Sequence, residues 1–458
     1  MRGKTNTLKY ITLALLLTNG LLFSSCEKFV DIDKAPNQLP AADAFKEDGT
    51  ATAAVLAMYS YYNTTGSLPY YTFAGGVEAD DIQYTYTSST PAMNELQQST
   101  VNPNNGTVTS YLWIYPYGVI RQANLAIEGL KASTTLTSSV QAQLLGEAYF
   151  FRAFNYFYLV NYFGAVPLVL SSDVMETGNM PRTGTDSVWA QIISDLKAAE
   201  ASLPAAYTGT LRTRINKYAA SALLARAYLY REDWENAITY STEVIAAGTY
   251  SLPVPDSAFV NISNEVILQY GTTNGYSFLG NNYRTSSSAG IPGFYLYPAT
   301  ANAFESGDKR RTAWVDSVIS GTTTIYRINK YKLPTATAGN EYNVILRLAE
   351  QYLIRAEANA QLKNLDAAAA DLNAVRTRAG LSNTTAATQD ALLAAIAKER
   401  KLELFGEFAH RWFDLKRTGK VNEVIGAIKS SWVSTAALLP IPNTEIAKNK
   451  ALKQNDGY

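Results

Sequence analysis

The residues best suited to chemistry fall into two tyrosine-rich clusters. The first holds Tyr70 and Tyr71, then Glu78, Asp80 and Asp81, then Tyr84 and Tyr86; the second holds Tyr276, Tyr283 and Arg284. A flat phenol ring can stack on the apolar C–H face of a sugar while a carboxylate, amide or guanidinium beside it bonds the hydroxyls, so both clusters suit a saccharide. If the segment is extended, Tyr84 and Tyr86 share a face and present two adjacent platforms. Tyr283 beside Arg284 likewise offers a ring face and a forked donor. Hydrolysis of a glycosidic bond asks for two carboxylates roughly 5–10 Å apart across the sugar. Neighbours such as Asp80 and Asp81 seldom reach that geometry, and helix capping or loop structure is the competing role of these acids.

Other chemistries lack their residues. The chain has 1 His and 1 Cys against 31 Tyr and 6 Trp. It contains no GxGxxG after a strand, no Walker A loop, no GxSxG elbow and no HExxH. His410 stands without partners at metal-ligand spacing. Asp31-Ile32-Asp33 opens like a calcium loop but places Pro36 and Ala42 where that loop needs Gly and Glu. No catalytic residue, metal or cofactor is expected, and binding rather than turnover is the reading. With 39 Lys+Arg against 39 Asp+Glu there is no bulk charge to draw nucleic acid.

The elements that must position these clusters follow an export signal. Residues 1–25 carry Arg2, Lys4 and Lys9 without an acid, then an apolar run from Ile11 to Phe23 that is too short to span a bilayer. The solitary Cys26 ends that run after Ser24-Ser25, resembling a bacterial lipobox in which the cysteine becomes the lipidated mature N-terminus. Removing 25 of 458 residues would leave 433, with 36 basic and 39 acidic groups and a net charge of −3. Acyl chains would then provide the anchor, with residues 26–40 as a polar tether and 41–458 as the body.

Within the body, an internal repeat predicts helix pairs. Leu224, Ala225, Tyr228, Trp234 and Ala237 keep the mutual spacings of Arg355, Ala356, Asn359, Leu365 and Ala368, and small residues at these positions suit the close helix contacts of a tetratricopeptide-like unit. Residues 141–163 with 186–203 look like another pair, 389–418 like a further long helix or pair, and 111–131 like an isolated helix. The expected fold is therefore mostly α, a scaffold of about four helix pairs. Two long insertions, 63–109 and 250–342, lack helical period, and the second is expected to carry minor β structure. Loops of that length usually carry function, and both tyrosine clusters lie in them.

Five sequence blocks, in order, resemble the SusD/RagB family of outer-membrane lipoproteins. They are Gly146-Glu147-Ala148-Tyr149-Phe150-Phe151-Arg152-Ala153 continuing to Tyr162-Phe163-Gly164-Ala165-Val166-Pro167-Leu168, Arg347-Leu348-Ala349-Glu350 with Ala356-Glu357-Ala358, Glu399-Arg400-Lys401-Leu402-Glu403-Leu404, Glu407 to Arg417 with His410-Arg411-Trp412-Phe413-Asp414-Leu415, and Pro440-Ile441-Pro442 to the C-terminal Gln454-Asn455-Asp456-Gly457-Tyr458. Asp456 stands where the family commonly has Pro. The resemblance implies a cell-surface glycan-binding protein, lipid-anchored in the outer membrane and facing the cell exterior, that delivers oligosaccharide to a SusC-like TonB-dependent transporter. A peptide-binding lid of the same fold and, less favoured, a surface glycoside hydrolase are the alternatives. Physically the blocks read as scaffold: Glu147, Arg152, Glu399, Arg400 and Glu403 are placed for ion pairs on or between helices, and Trp412 and Phe413 for core packing.

Overall fold

Small residues let the helices of the body approach closely. The computed structural model describes residues 41–65, 67–85, 91–271, 275–285, 287, 289–333 and 339–458. Helices α1 (Asp48–Thr65) and α2 (Ser67–Glu78) lead into strand β1 (Ile82–Tyr84) and helix α3 (Pro91–Gln97). A π-helical segment, Val108–Ile114, runs directly into α4 (Tyr115–Ala132), followed by α5 (Ser138–Phe163), α6 (Thr185–Ser202), α7 (Lys217–Tyr230) and α8 (Trp234–Ala246). Next come β2 (Val266–Tyr270), α9 (Phe278–Tyr283), β3 (Phe294–Leu296), α10 (Lys309–Trp314), β4 (Val315–Ser320), β5 (Thr323–Ile328) and β6 (Asn343–Arg347). Helices α11 (Leu348–Gln361), α12 (Leu365–Arg378), α13 (Gln389–Leu404), α14 (His410–Arg417) and α15 (Val421–Gly426) complete the set used below.

Neighbouring helices pack in succession from α4 to α8, then α8 on α11, and α11 on α12 and α13. Pairs α5/α6, α7/α8, α11/α12 and α13/α14 are the expected tetratricopeptide-like units, and the fold is mostly α. Ala225, Ala237, Ala356 and Ala368 are fully buried, as close helix contact requires. Residues Phe45–Tyr458 form one compact unit.

Buried Arg–carboxylate forks link the helices. Arg152 holds Asp195 through two bonds of 2.7 Å, joining α5 to α6, and Arg226 holds Glu350 through two of 2.6 Å, joining α7 to α11. Arg214 holds Glu147, and Arg310 reaches Asp308, Glu399 and Glu403. Apart from Arg310–Asp308, which closes the N-cap of α10, these pairs run between elements rather than along one helix. The planar guanidinium accepts only one relative placement of its carboxylate, so such pairs fix register. Trp412 and Phe413 lie in the core.

Two readings need correction, and a third, a long helix or a pair over 389–418, resolves to the pair. Residues 63–109 are not an irregular insertion, because they contain the end of α1, α2, β1, α3 and the start of the π-helical segment. Helix α2 is buried on nearly every side from Leu68 to Glu78, so it has no polar face and shows no amphipathic period. Helix α4 is not isolated but packs on α1 and α5. Residues 389–418 form a pair, broken where Gly406, Phe408 and Ala409 take φ of 65°, 40° and 60°.

The strands form an antiparallel sheet in the order β1-β3-β5-β4 and a two-stranded sheet β2-β6. Ile82, Gln83 and Tyr84 pair with Leu296, Tyr295 and Phe294. The two tyrosine-rich regions are thus joined by one sheet.

Candidate functional site

Helix α2 and the sheet position the aromatic residues. Phe73 stacks on Phe294, centroids 4.0 Å apart and planes 4° apart, locking α2 onto β3. The Thr85 amide donates to the Gly293 carbonyl at 2.9 Å and its hydroxyl to the Pro292 carbonyl at 2.7 Å, extending the union past β1.

Four of the expected ligand contacts lie inside the protein. Tyr71 is 1% exposed, stacks on Tyr158 at 4.1 Å and donates its hydroxyl to Asn155 Oδ1 at 3.0 Å. Tyr283 is fully buried and donates its hydroxyl to the Gly406 carbonyl at 2.9 Å. Both rings have protein on their faces, so neither presents a platform. Asp80 lies between Lys401 and Arg411, each at 2.6 Å, and these cations hold its carboxyl down at about 2 despite burial. Asp81 is 2% exposed and accepts the Gly406 amide at 2.9 Å. Burial, with a further push from Asp80, raises its carboxyl to about 7. Glu78 is fully buried, accepts from the Ser99 hydroxyl at 2.8 Å and sits 3.9 Å from Lys429. Asp80 and Asp81 therefore secure the junction of α2 and β1 to the α13–α14 break, while Glu78 ties the end of α2 to Ser99 and Lys429.

Tyr70, Tyr84, Tyr276 and Arg284 are half-buried. The Arg284 guanidinium bonds Asn329 and lies 3.6 Å from Asp316, so part of its fork serves the sheet. Tyr84 tilts against Phe294, and its backbone exchanges hydrogen bonds with Gln97. Tyr86 and Cys26 lie outside the described residues.

Sequence reasoning missed three aromatics that join this face. Tyr111 stacks on Tyr70 with centroids 3.6 Å apart and planes 7° apart; Tyr115 lies 5.4 Å from Tyr111, and Tyr61 lies 5.6 Å from Tyr115. All four rings are half-buried, forming a continuous ladder Tyr61–Tyr115–Tyr111–Tyr70. The i, i+4 spacing of Tyr111 and Tyr115 was the available signal. Tyr111 lies in the π-helical segment, a rare geometry that re-aims side chains and recurs at functional sites. Burial raises the phenols of Tyr61 and Tyr70, with neighbouring tyrosines adding to the shift, so they remain protonated donors at neutral pH. Such rings can stack on a flat apolar face and donate to hydroxyls.

Among the described residues, no group of three or more His, Cys, Asp and Glu is placed to hold a metal ion. His410 is buried, and desolvation together with Arg226 and Arg400 pushes its imidazole well below the ordinary value, so it packs as a neutral ring. No described helix is long and apolar enough to cross a membrane.

Two family models match the chain: "SusD family" over residues 297–458, and "Starch-binding associating with outer membrane" over residues 61–229. "SusD-like protein P2" of Formosa agariphila is 28% identical over 432 residues, covering 80% of this chain and 83% of that protein. Among solved structures, a "Laminarin binding SusD-like protein" superposes with a TM-score of 0.76 at 26% identity, covering 90% of this chain and 100% of that one. "Surface glycan-binding protein A" from Bacteroides uniformis shares the fold, with a TM-score of 0.75 at 23% identity over 89% of this chain and 99% of that one. The matched blocks, the helical scaffold and these likenesses agree: the chain is similar to SusD-type proteins over residues 61–229 and 297–458.

Proposed function

We propose that this protein binds oligosaccharides at the outer-membrane surface and passes them to a partner TonB-dependent transporter. The observation that carries the reading is the half-buried ladder Tyr61–Tyr115–Tyr111–Tyr70, backed by Tyr84 from β1. The stacked pair Tyr70–Tyr111, with the tilted ring of Tyr115 and the edge-on ring of Tyr61, offers extended apolar surface and hydroxyl donors without a fixed charge, which suits a neutral glycan. The likeness to a laminarin-binding protein and the description of the model matching residues 61–229 support the same ligand class.

A hydrolytic role is disfavoured by the first cluster itself. General acid–base work needs carboxylates that reach the substrate, whereas Glu78, Asp80 and Asp81 are buried and engaged by Ser99, Lys401, Arg411 and the Gly406 amide. Membrane attachment is assigned to lipid on Cys26, since two or more acyl chains anchor stably where one does not.

The test is a glycan array probed with the soluble 27–458 protein, including laminarin and starch oligosaccharides, followed by titration calorimetry and product analysis. Saturable binding with the glycan recovered intact supports the reading; absence of binding across the array, or release of shortened glycan, overturns it. For the anchor, Cys26→Ala should move the protein out of the membrane fraction, and retention there would refute lipidation at this residue.

A further inference from the structure

A cleft of about 550 Å³ opens among α11, α13, α14 and α15, apart from the tyrosine ladder. Its size lies within the range of small-molecule sites. None of the tyrosines of the ladder lines it.

The cleft joins an apolar wall to a charged floor. Leu393, Ala394 and Ala397 of α13 face Leu415 and Val424 across it. Ala394 and Ala397 are exposed and Leu393 and Val424 half-buried, so the wall is not consumed by the core. In the floor, Asp414 accepts from Arg400 at 2.8 and 3.1 Å and from Arg417 at 2.8 Å, while Glu357 accepts from Arg417 at 2.5 and 2.7 Å. Arg411, a third guanidinium lining the cleft, spends its Nε and Nη2 on Asp80.

This leaves the floor short of acceptors. Arg400 is only 2% exposed, yet its Nη1 is buried without a hydrogen-bond partner. A buried donor on a charged group left without an acceptor is destabilising, so an additional acceptor at this point relieves a real penalty. Lys420, paired with Glu423 at 2.9 Å, and Asp390 lie along the same cleft.

We propose that this cleft binds a small carboxylate with an apolar body, its anion in the guanidinium cluster of Arg400 and Arg411 and its hydrocarbon against Leu393, Ala394 and Ala397. A neutral ligand of the same shape would fill the wall but leave Arg400 Nη1 unpaired. A multiply charged anion would gain from the guanidinium groups but would desolvate against the wall and meet Asp414 and Glu357. A monocarboxylate matches both parts of the cleft.

The test is titration calorimetry of the purified protein with phenylpropionate and with phenylpropionamide. The carboxylate should bind saturably and the amide at least about tenfold more weakly. Ala397→Trp, which fills the cleft from an exposed position, should reduce carboxylate affinity at least about tenfold while leaving glycan affinity unchanged. Arg400→Gln should do the same; it removes a partner of Asp414, so its thermal unfolding is measured alongside, and Ala397→Trp carries the test if Arg400→Gln does not fold. Equal binding of acid and amide, undiminished binding by Ala397→Trp, or no carboxylate binding up to about 10 mM would each overturn the proposal.

Discussion

Tyr70 and Tyr111 lie face to face, ring centroids 3.6 Å apart and planes 7° apart, although one belongs to α2 and the other to the π-helical segment before α4. The pair joins two elements distant in sequence and extends through Tyr115 and Tyr61. A stack formed before ligand arrives has already lost its side-chain freedom, so a sugar docking on it meets a rigid surface.

Truncating the middle of this ladder should therefore act on binding. Tyr111→Ala is expected to cost about 1–3 kcal/mol of glycan binding, a fall in affinity of roughly five- to 150-fold. Titration calorimetry with an array-identified glycan measures it. Unchanged affinity in a folded Tyr111→Ala protein would move the site off the ladder.

Tyr283 should behave in the opposite way. Its hydroxyl satisfies the Gly406 carbonyl at the α13–α14 break, and a Cβ at residue 406 would come within 3.3 Å of that hydroxyl. Tyr283→Phe removes a buried donor and should lower stability by about 1–3 kcal/mol. Glycan affinity should stay at the wild-type value. Chemical denaturation and calorimetry on the same preparation separate the two effects.

These two tyrosines show how far the sequence was legible. The Ala225/Ala356 and Ala237/Ala368 spacings marked the repeat because close helix contact tolerates only small side chains. The turns repeat as well: Glu232 and Lys363 both take left-handed φ, 58° and 64°, at matching positions. Helix α2 was invisible because burial on nearly all sides erased its period. Tyrosine identity could not separate platform from core, since a phenol can be satisfied inside by Asn155 Oδ1 or the Gly406 carbonyl as well as by a ligand. The ladder depends on contacts between residues 41 positions apart, Tyr70 and Tyr111, and on a π-helical turn with no simple sequence signature.

The buried charges behind the sheet make a third prediction. Arg347 reaches Glu265, Glu403 and Glu407 at 2.5–2.7 Å, tying β6 to the end of α13. Arg347→Met would leave these carboxylates packed against one another with fewer cations, at an expected cost of about 3–5 kcal/mol. Denaturant unfolding should show that loss. A change below about 1 kcal/mol would mean that water or the remaining Arg310, Arg378 and Lys330 compensates fully.

The last prediction concerns pH and rests on two adjacent carboxylates shifted in opposite directions. Asp80, held at about 2 by Arg411 and Lys401 against an ordinary 3.8, is ionised in the folded protein where the unfolded chain has begun to protonate. Its contribution is fully present above about pH 4 and is lost as the pH falls toward 2. Asp81, raised to about 7 by burial and by Asp80, retains its proton in the folded protein between about pH 4 and 7 while the unfolded chain releases its own. Folding then binds a proton, so this residue makes stability fall as the pH rises across that interval. Glu78, also raised to about 7 by burial, adds a slope of the same sign, though Lys429 opposes it. Asp81→Asn removes the titrating group and keeps an oxygen able to accept the Gly406 amide. Its stability relative to wild type should therefore improve from about pH 5 to pH 8, flattening the profile across the interval. Denaturant midpoints of both proteins at several pH values test this directly. Parallel profiles would show that Asp81 titrates near its ordinary value in the folded protein.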